Sequence, residues 1–372
     1  MKEAWSAYRE STTTRAMDVV VMGGGPAGCA TAIALARRGL AVAMLEHSCY
    51  DTPRVGETLA PECRVPLAAL ECLQPFENDR HLPSSGIASV WGEDHLYEND
   101  FIFNPYGHGW HLDRCRFDAM LAHCAADMGA QVFAGTTARR CDAVSNGFEI
   151  EAERRCGGAL RLRSHLVVDA TGRGSSPLPG AQRCVVYDKL VGLVGLVVPA
   201  SSQEDSRILL EAVSDGWWYS ALLPGGTRVA AFMTDGDRLR GHRHDLSRFF
   251  ISRLSEAPHT RERVGATPEV ESLRLVAASS YRHRAMHGER WLKVGDAACT
   301  YDPLSSAGLL KALQSGLDAA TAIEEWFGGD TAAPARYAAR LEQHFFAYLG
   351  TRSAYYSREM RWPASPFWQR RH

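Results

Sequence analysis

A glycine-rich turn set between two apolar runs constrains the fold of this chain more than any other feature. Residues 17–22 form a β-branched run that is typical of a buried parallel strand. The turn that follows has the spacing GxGxxG, with glycines at Gly23, Gly25 and Gly28. Residues 30–38 are rich in Ala and Leu and predict a helix, and residues 41–45 predict a second strand. Strand, turn, helix and strand in one unit of about 30 residues predict a Rossmann-type dinucleotide-binding fold.

Each glycine of this turn has a separate physical reason. The first permits the tight turn, the second lets the backbone approach a pyrophosphate, and the third lets the helix pack closely on the strand. The diphosphate then lies at the helix N-terminus, whose free N–H groups and dipole favour anions. Glu46 ends the second strand, where its carboxylate can accept hydrogen bonds from ribose hydroxyls. Ala27 and His47 complete this set of expected cofactor contacts, and a glycine-rich turn without a ligand is the alternative.

A motif near the C-terminus indicates that the predicted dinucleotide is FAD and not NAD. Residues 291–298, Trp-Leu-Lys-Val-Gly-Asp-Ala-Ala, predict a short strand that runs into a Gly-Asp turn, and residues 309–326 predict an amphipathic helix. The turn resembles the GDA motif of the p-hydroxybenzoate hydroxylase and flavin-dependent halogenase superfamily. The resemblance implies that Asp296 binds the ribityl chain of FAD and that the following loop and helix start lie beside the isoalloxazine ring. The residues expected there are Pro303, Ser306, Gly308 and Leu309.

Two further segments resemble the same superfamily. Residues 111–118 are similar to its arginine-bearing segment, which implies that Arg114 reaches the cofactor; an ion pair with Asp113 or Asp118 is the alternative. Asp169 lies in a strand-ending D-A-x-G turn, which the resemblance assigns to the wall of the FAD cleft, with a plain turn as the alternative. The remaining expected cofactor contacts are Arg54 and, through its backbone, Ala138.

The expected fold class is α/β: a Rossmann-type FAD-binding domain, with a parallel sheet and helices, interleaved with a mostly antiparallel substrate-binding sheet domain and followed by a C-terminal helical tail. A chain of 372 residues is long enough for both sheets. The predicted FAD-binding domain comprises residues 16–80, 111–180 and 285–330. The predicted substrate-binding domain comprises residues 81–110 and 181–284, and residues 331–372 form the C-terminal helix and aromatic tail.

Aromatic residues of the second sheet and of the tail each leave two interpretations open. Residues 217–223 and 228–233 alternate as antiparallel strands and are separated by a Pro-Gly-Gly turn that indicates a hairpin. Trp217 and Trp218 either wall a flat apolar pocket above the flavin or belong to the core. The tail aromatics either pack on the sheet or dock a protein substrate; they are Tyr355, Tyr356, Trp362, Phe367 and Trp368.

The superfamily resemblance implies oxygen chemistry, because its reduced flavins form a flavin hydroperoxide that hydroxylates an aromatic ring or oxidises chloride. Halogenases of this superfamily carry a lysine near their GES or GEA segment. The corresponding segment here, residues 54–61, is Arg-Val-Gly-Glu-Thr-Leu-Ala-Pro, and no lysine occurs from Glu3 to Asp188. The halogenase signature WxWxIP is also absent. These departures favour an FAD-dependent monooxygenase over a halogenase.

Within the superfamily, the Gly-Glu-Thr segment, the Trp-Trp-Tyr strand and the C-terminal Arg-Trp-Pro segment resemble the flavoprotein maturases of cysteine tryptophylquinone enzymes. That resemblance implies an aromatic substrate that is a tryptophan of a partner protein or peptide. A hydroxylase of a small aromatic natural-product intermediate, a flavin-dependent reductase or dehydrogenase, and a non-catalytic FAD protein remain alternatives. Electrons would come from NAD(P)H directly or through a partner flavin reductase.

Glu57 and His111 are the candidate catalytic residues. A carboxylate at Glu57 would lie near the flavin if the halogenase-like geometry holds, and it could remove the ring proton after oxygen transfer. An ion pair of Glu57 with Arg54 or Arg64 is the alternative, and a purely hydrogen-bonded loop residue is the alternative for His111.

Composition excludes several other classes. A formal net charge of −2 gives no sign of a nucleic-acid partner. The ten cysteines form no CxxC pair, and no His, Cys, Asp or Glu spacing indicates a metal. No apolar run approaches the roughly 18 residues of a membrane span. A cytoplasmic protein with reduced cysteines is therefore expected.

Overall fold

The computed structural model describes residues 14–178, 183–198, 205–242, 244–266 and 268–372. Its strands are β1 (Arg15–Met22), β2 (Val42–Glu46), β3 (Thr58–Leu59), β4 (Leu82–Ser84), β5 (Gly86–Val90), β6 (Tyr97–Asp100), β7 (Gly109–His111), β8 (Gln131–Ala134), β9 (Thr136–Val144), β10 (Gly147–Arg154), β11 (Ala159–Asp169), β12 (Cys184–Val186), β13 (Leu190–Val198), β14 (Ile208–Val213), β15 (Gly216–Leu222), β16 (Arg228–Asp235), β17 (Glu269–Ala277), β18 (Tyr281–His283), β19 (His287–Gly288), β20 (Trp291–Lys293) and β21 (Cys299–Thr300). Its α-helices are α1 (Pro26–Ala36), α2 (Arg64–Ala69), α3 (Leu73–Asn78), α4 (Arg114–Asp127), α5 (Leu246–Leu254), α6 (Pro258–Val264), α7 (Gly308–Phe327), α8 (Ala333–Tyr356) and α9 (Pro366–Gln369).

A sheet with a parallel centre confirms the Rossmann-type expectation. Its core order is β19-β20-β11-β1-β2-β8, in which β1 runs parallel to both β2 and β11, and the β9–β10 hairpin extends β11. The register pairs Met22 with both Leu45 and Asp169. The three strands therefore end at one edge of the sheet, where α/β folds bind their ligands.

Helix α1 begins at Pro26, four residues before the predicted start, because Gly25 already serves as its N-cap and proline suits the first helical position. Its residues from Pro26 to Leu35 are all buried, as expected of a helix that is apolar on every side. Helix α7 crosses it closely, since a Cβ added at Gly316 would come within 2.7 Å of the carbonyl oxygen of Ala27. This contact packs the first turns of α1 against the middle of α7.

The second sheet, with strand order β17-β13-β16-β15-β14-β5-β6, carries the predicted hairpin between β15 and β16. Trp217 and Trp218 are both fully buried there. Trp218 packs against Phe250 of α5, whereas Trp217 belongs to the cluster under the C-terminal segment. Both indoles are therefore core residues, and neither lines the cavity described below. The domain boundaries inferred from the sequence stay a prediction.

The C-terminal segment packs on this second sheet. Tyr356, Phe367 and Trp368 are buried, and the indole N–H of Trp368 donates to the carbonyl oxygen of Val213. Among the tail aromatics, Tyr355 remains half-exposed. Packing thus accounts for the buried tail aromatics, which leaves them unavailable for docking a partner.

Within the described ranges, no helix is long and apolar enough to cross a membrane. The same residues contain no group of His, Cys, Asp and Glu side chains that could hold a metal ion. All ten cysteines are unpaired.

Candidate functional site

A cavity of about 650 Å³ lies between the carboxyl edge of the parallel sheet and one face of the second sheet. One end is formed by the glycine turn, Glu46, His47 and Ala138, and the loop 301–309 lines its middle. The other end is apolar and is walled by Val194, Tyr219, Val229, Ala231 and Met233. The two sheets therefore enclose one continuous space with a polar end and an apolar end.

The glycine turn forms a cradle at the polar end. A Cβ added at Gly25 would meet nothing within 4 Å, so open space lies above this residue. Gly25 is the N-cap of α1 and offers no side chain to its first N–H groups, which leaves them available to an anion. A Cβ at Gly28, in contrast, would lie 1.9 Å from the carbonyl oxygen of Gly23. Gly28 thus serves helix packing and does not line the cavity.

Substituting these two glycines should separate cofactor binding from folding. Gly25→Asp introduces a favourable N-cap into open space, so we expect the apoprotein to stay folded. The carboxylate would cover the helix N–H groups and repel a diphosphate, which should lower FAD affinity by roughly a hundredfold. Gly28→Ala should instead reduce stability by about 1–3 kcal/mol through overpacking. FAD fluorescence titration and thermal unfolding of the apoprotein test both, and equal FAD affinity of Gly25→Asp and the native protein contradicts the cradle.

Glu46 is buried and fully engaged. Its carboxylate accepts hydrogen bonds from the N–H of Gly24 at 2.7 Å and from the Arg54 guanidinium at 2.6 Å, and it also binds Ser48. Burial alone would raise its pKa, but the hydrogen bond from His47 and the charge of Arg54 hold the pKa of Glu46 well below its ordinary value. A carboxylate that is ionised at neutral pH therefore lies beside the glycine turn.

Arg54 and Arg114 join the loop before β3 to helix α4. Arg54 pairs with Glu46 and, at 3.1 Å, with Asp118. Arg114 also pairs with Asp118 at 3.1 Å, and it donates to the carbonyl oxygens of Val55 and Gly56. Both arginines also line the cavity. The alternative expected for Arg114, an ion pair with Asp118, is thus present, and Arg114 lies at the cavity as well.

Asp296 lies in the 3-10 turn Gly295–Ala297 at the middle of the cavity. Lys311 donates to its Oδ1 at 2.6 Å, and Nε of Arg173 lies 3.4 Å from its Oδ2. Although burial opposes ionisation, these two cations lower the pKa of Asp296. The predicted residues Pro303, Ser306, Gly308 and Leu309 line the cavity beside it, at the start of α7.

Glu57 lies at the junction of the polar and apolar ends. It is 7% exposed, and burial raises its pKa. Neither alternative partner binds it, because Arg54 pairs with Glu46 and Asp118 and Arg64 pairs with Glu77. The next residue, Thr58, shares a 2.6 Å hydrogen bond with the hydroxyl of Tyr219. Burial and the charge of Glu57 raise the pKa of Tyr219 well above its ordinary value, so its phenol stays protonated.

His111 lies on β7, outside the cavity lining. Its side chain is fully buried, and its Nε2 lies 2.7 Å from the carbonyl oxygen of Ser206. Burial lowers the pKa of His111 to about 4. The imidazole is therefore a neutral donor to the backbone, and the geometry gives it no contact with a ligand in the cavity.

Sequence reasoning did not assign a role to Arg173, Lys311 or Tyr219. Arg173 follows the D-A-x-G turn and lines the cavity, and Lys311 contacts Asp296 from the first turn of α7. The scarcity of lysine was a sequence signal that Lys311 has a specific role, since the only other lysines are Lys2, Lys189 and Lys293. Tyr219 lies on the same face of β15 as the core residue Trp217, and nothing local in the sequence indicates its contact with Thr58.

The residues present fit FAD. The open space above Gly25 meets the N-terminus of α1, where a diphosphate can approach the backbone. Arg54, Arg114 and Arg173 supply positive charge along the cavity, and Asp296 offers a carboxylate at its middle. The apolar end beyond Glu57 leaves room for a second molecule.

Comparisons with known proteins agree with this geometry. Residues 18–176 match the family described as FAD dependent oxidoreductase. The chain is 28% identical over 360 residues to LodB of Marinomonas mediterranea, a protein named as an FAD-dependent oxidoreductase; the alignment covers 95% of this chain and 96% of that protein. It is 27% identical over 349 residues to the flavin-dependent halogenase armH3 of Armillaria mellea, covering 84% of this chain and 68% of that protein.

Two solved structures share the fold. The myxobacterial chondrochloren halogenase CndH superposes with a TM-score of 0.87 at 22% identity, covering 96% of this chain and 86% of that one. The peptidyl tryptophan dihydroxylase QhpG, which is essential for tryptophylquinone cofactor biogenesis, gives a TM-score of 0.79 at 25% identity, covering 95% and 78%. Together with a cavity that fits FAD, the family match over residues 18–176 indicates an FAD-dependent oxidoreductase, and the fold is that of flavin-dependent halogenases and monooxygenases.

Proposed function

We propose that this enzyme is an FAD-dependent monooxygenase that hydroxylates an aromatic ring, and that the ring belongs to a tryptophan of a partner protein or peptide. The observation that carries the proposal is the position of Glu57, a buried carboxylate between the FAD end and the apolar end of one cavity. Reduced FAD would supply the activation of dioxygen. The chain would supply the substrate pocket, the proton acceptor and the exclusion of water.

The apolar end suits a flat aromatic substrate. Val194 and Tyr219 flank Ala231 on neighbouring strands, so their side chains form one continuous wall. A small residue between two larger ones leaves a shallow, dry surface on which a ring can lie. The Tyr219 hydroxyl, held by Thr58, is the polar group that can orient a substrate there.

Glu57 is the group that would accept the ring proton. Hydroxylation of an aromatic carbon requires loss of one proton from that carbon, and a carboxylate within reach can take it. The ordinary carboxylate is a weak base, so the raised pKa of Glu57, which results from burial, suits this role. Asp296, whose pKa is lowered by Lys311 and Arg173, does not suit it.

Halogenation is the second candidate, because flavin-dependent halogenases are among the similar proteins. The cavity argues against it. Its lining contains no lysine among the residues the structure describes. Of the lysines near it, Lys293 is bound to Asp169 and Lys311 to Asp296. Neither ammonium is free to relay a hypohalous equivalent to a substrate.

Support for a protein substrate comes from the likeness to QhpG, whose name states that it acts on peptidyl tryptophan. In the test, the purified enzyme and FAD receive ¹⁸O-labelled dioxygen. Electrons are supplied either by NAD(P)H alone or by NAD(P)H together with a flavin reductase. Candidate substrates are tryptophan-containing peptides and neighbouring gene products, with chloride present. Gain of labelled oxygen on tryptophan supports the proposal. Chlorinated product supports halogenation, and turnover without label indicates a reductase or dehydrogenase.

A further inference from the structure

Lysine is scarce in this chain, yet two lysines lie buried behind the FAD cavity. The sequence contains only Lys2, Lys189, Lys293 and Lys311, and arginine supplies the rest of the positive charge. Lys293 binds Asp169 of the D-A-x-G turn, and Lys311 binds Asp296 of the Gly-Asp turn. A compact ammonium therefore supports the carboxylate of each motif.

Lys311 occupies a position that is unfavourable for a cation. It lies in the first turn of α7, where the positive end of the helix dipole repels an ammonium. The residue is 9% exposed, so the charge has also lost most of its hydration. Helix stability alone thus gives no reason for a lysine here.

Three contacts compensate the buried ammonium. Its Nζ donates to Oδ1 of Asp296 at 2.6 Å and to the carbonyl oxygen of Cys299. It also lies 4.7 Å from the centroid of the Tyr301 ring, a cation–π contact. These contacts hold the ammonium immediately behind the surface of the cavity, on which both Asp296 and Tyr301 lie.

The charge around Asp296 does not balance. Lys311 and Arg173 place two positive charges on its one carboxylate, and the N-terminus of α7 adds a partial positive charge. The surroundings of Asp296 therefore carry a net positive charge, and the ammonium of Lys311, whose side chain is 7% exposed, is only weakly screened by solvent.

We propose that Lys311 is a positioning residue for the cofactor: it fixes the Asp296 carboxylate and supplies the positive charge that favours the negatively charged, reduced form of bound FAD. Asp296 is fixed because Lys311 binds one of its oxygens while Arg173 lies beside the other. The inference rests on FAD binding and not on hydroxylation, so either can fail without the other.

The test is a charge cycle on the purified holoenzyme. Lys311→Gln should raise the FAD dissociation constant about tenfold, as expected for loss of a charge-assisted hydrogen bond, and should shift the flavin reduction potential to a more negative value. Asp296→Asn removes the opposite charge and should shift the potential to a more positive value. The double variant should return close to the native potential, because both charges are gone. Lys311→Arg should keep most of the native potential, and the exposed Lys189→Gln is the control.

Opposite shifts of the two single variants support the inference, because a loss of packing alone would not change sign. If Lys311→Gln does not fold, the reduction potential of the double variant is compared with that of Asp296→Asn. This comparison removes the Lys311 charge without leaving a carboxylate unpaired, and the double variant must have the more negative potential. A zero or positive shift on removal of the Lys311 charge overturns the inference. Equal shifts in Lys311→Gln and Lys189→Gln overturn it as well.

Discussion

Replacing Glu57 by glutamine is expected to lower kcat for substrate oxidation by roughly a hundredfold to ten-thousandfold, the range for loss of a positioned proton acceptor. The substitution keeps the size of the side chain but removes its basicity. FAD affinity should stay near the native value, since the contacts of the glycine turn and of Asp296 do not involve Glu57. Stopped-flow absorbance and product mass separate loss of product from loss of cofactor.

The pH dependence gives an independent check on Glu57. Below its pKa the carboxyl is protonated and cannot accept the ring proton, so activity should fall as pH decreases through that value. Burial raises the pKa of Glu57, so the acid limb of kcat/KM should lie above the value of about 4.3 typical of glutamate. The limb should disappear in Glu57→Gln.

Glu62→Gln is the matched control, because Glu62 lies in the next turn, outside the cavity lining, and binds Asn104. It should keep both kcat and the acid limb. A kcat of Glu57→Gln equal to that of the native enzyme would exclude Glu57 as the proton acceptor. A loss of kcat together with a loss of bound FAD would instead assign Glu57 to the structure of the FAD site.

Sequence predicted best what local spacing determines. The turn from Gly23 to Gly28 and the strand ends at Glu46 and Asp169 are each predicted by a short local motif. Because parallel strands of one sheet end at the same edge, these motifs also predict that the strand ends lie together. The start of helix α4 is equally local, since Asp113, two residues after β7, accepts hydrogen bonds from the N–H groups of Cys115 and Arg116. Such features depend on neighbours in the chain and are readable without tertiary structure.

Contacts between distant segments could not be predicted. Thr58 and Tyr219 are 161 residues apart and meet only because the second sheet faces β3. The two tryptophans beside Tyr219 were ambiguous because helix α5 covers one face of β15 and the C-terminal segment covers the other. Alternation along a strand distinguishes two faces, but it does not say which face borders a ligand.

The buried pair of Lys293 and Asp169 is expected to have the largest effect on stability. Their side chains are 1% and 0% exposed and are joined at 2.6 Å. Asp169 also accepts from the N–H and the hydroxyl of Thr171, so it remains in place when the lysine is removed. Lys293→Met would leave an uncompensated buried carboxylate and should lower the free energy of unfolding by about 3–5 kcal/mol.

The double variant Asp169→Asn/Lys293→Met should recover most of that loss. Asparagine still accepts from Thr171, and no charge is left buried, so exchange of both partners costs far less than removal of one. Urea unfolding at a fixed excess of FAD measures the effect, because FAD itself stabilises the folded state by mass action. Lys189→Met controls for the loss of an exposed lysine. Equal stability of Lys293→Met and its double variant would mean that packing around Lys293, and not charge compensation at Asp169, holds β11 and β20 together at the edge of the cavity.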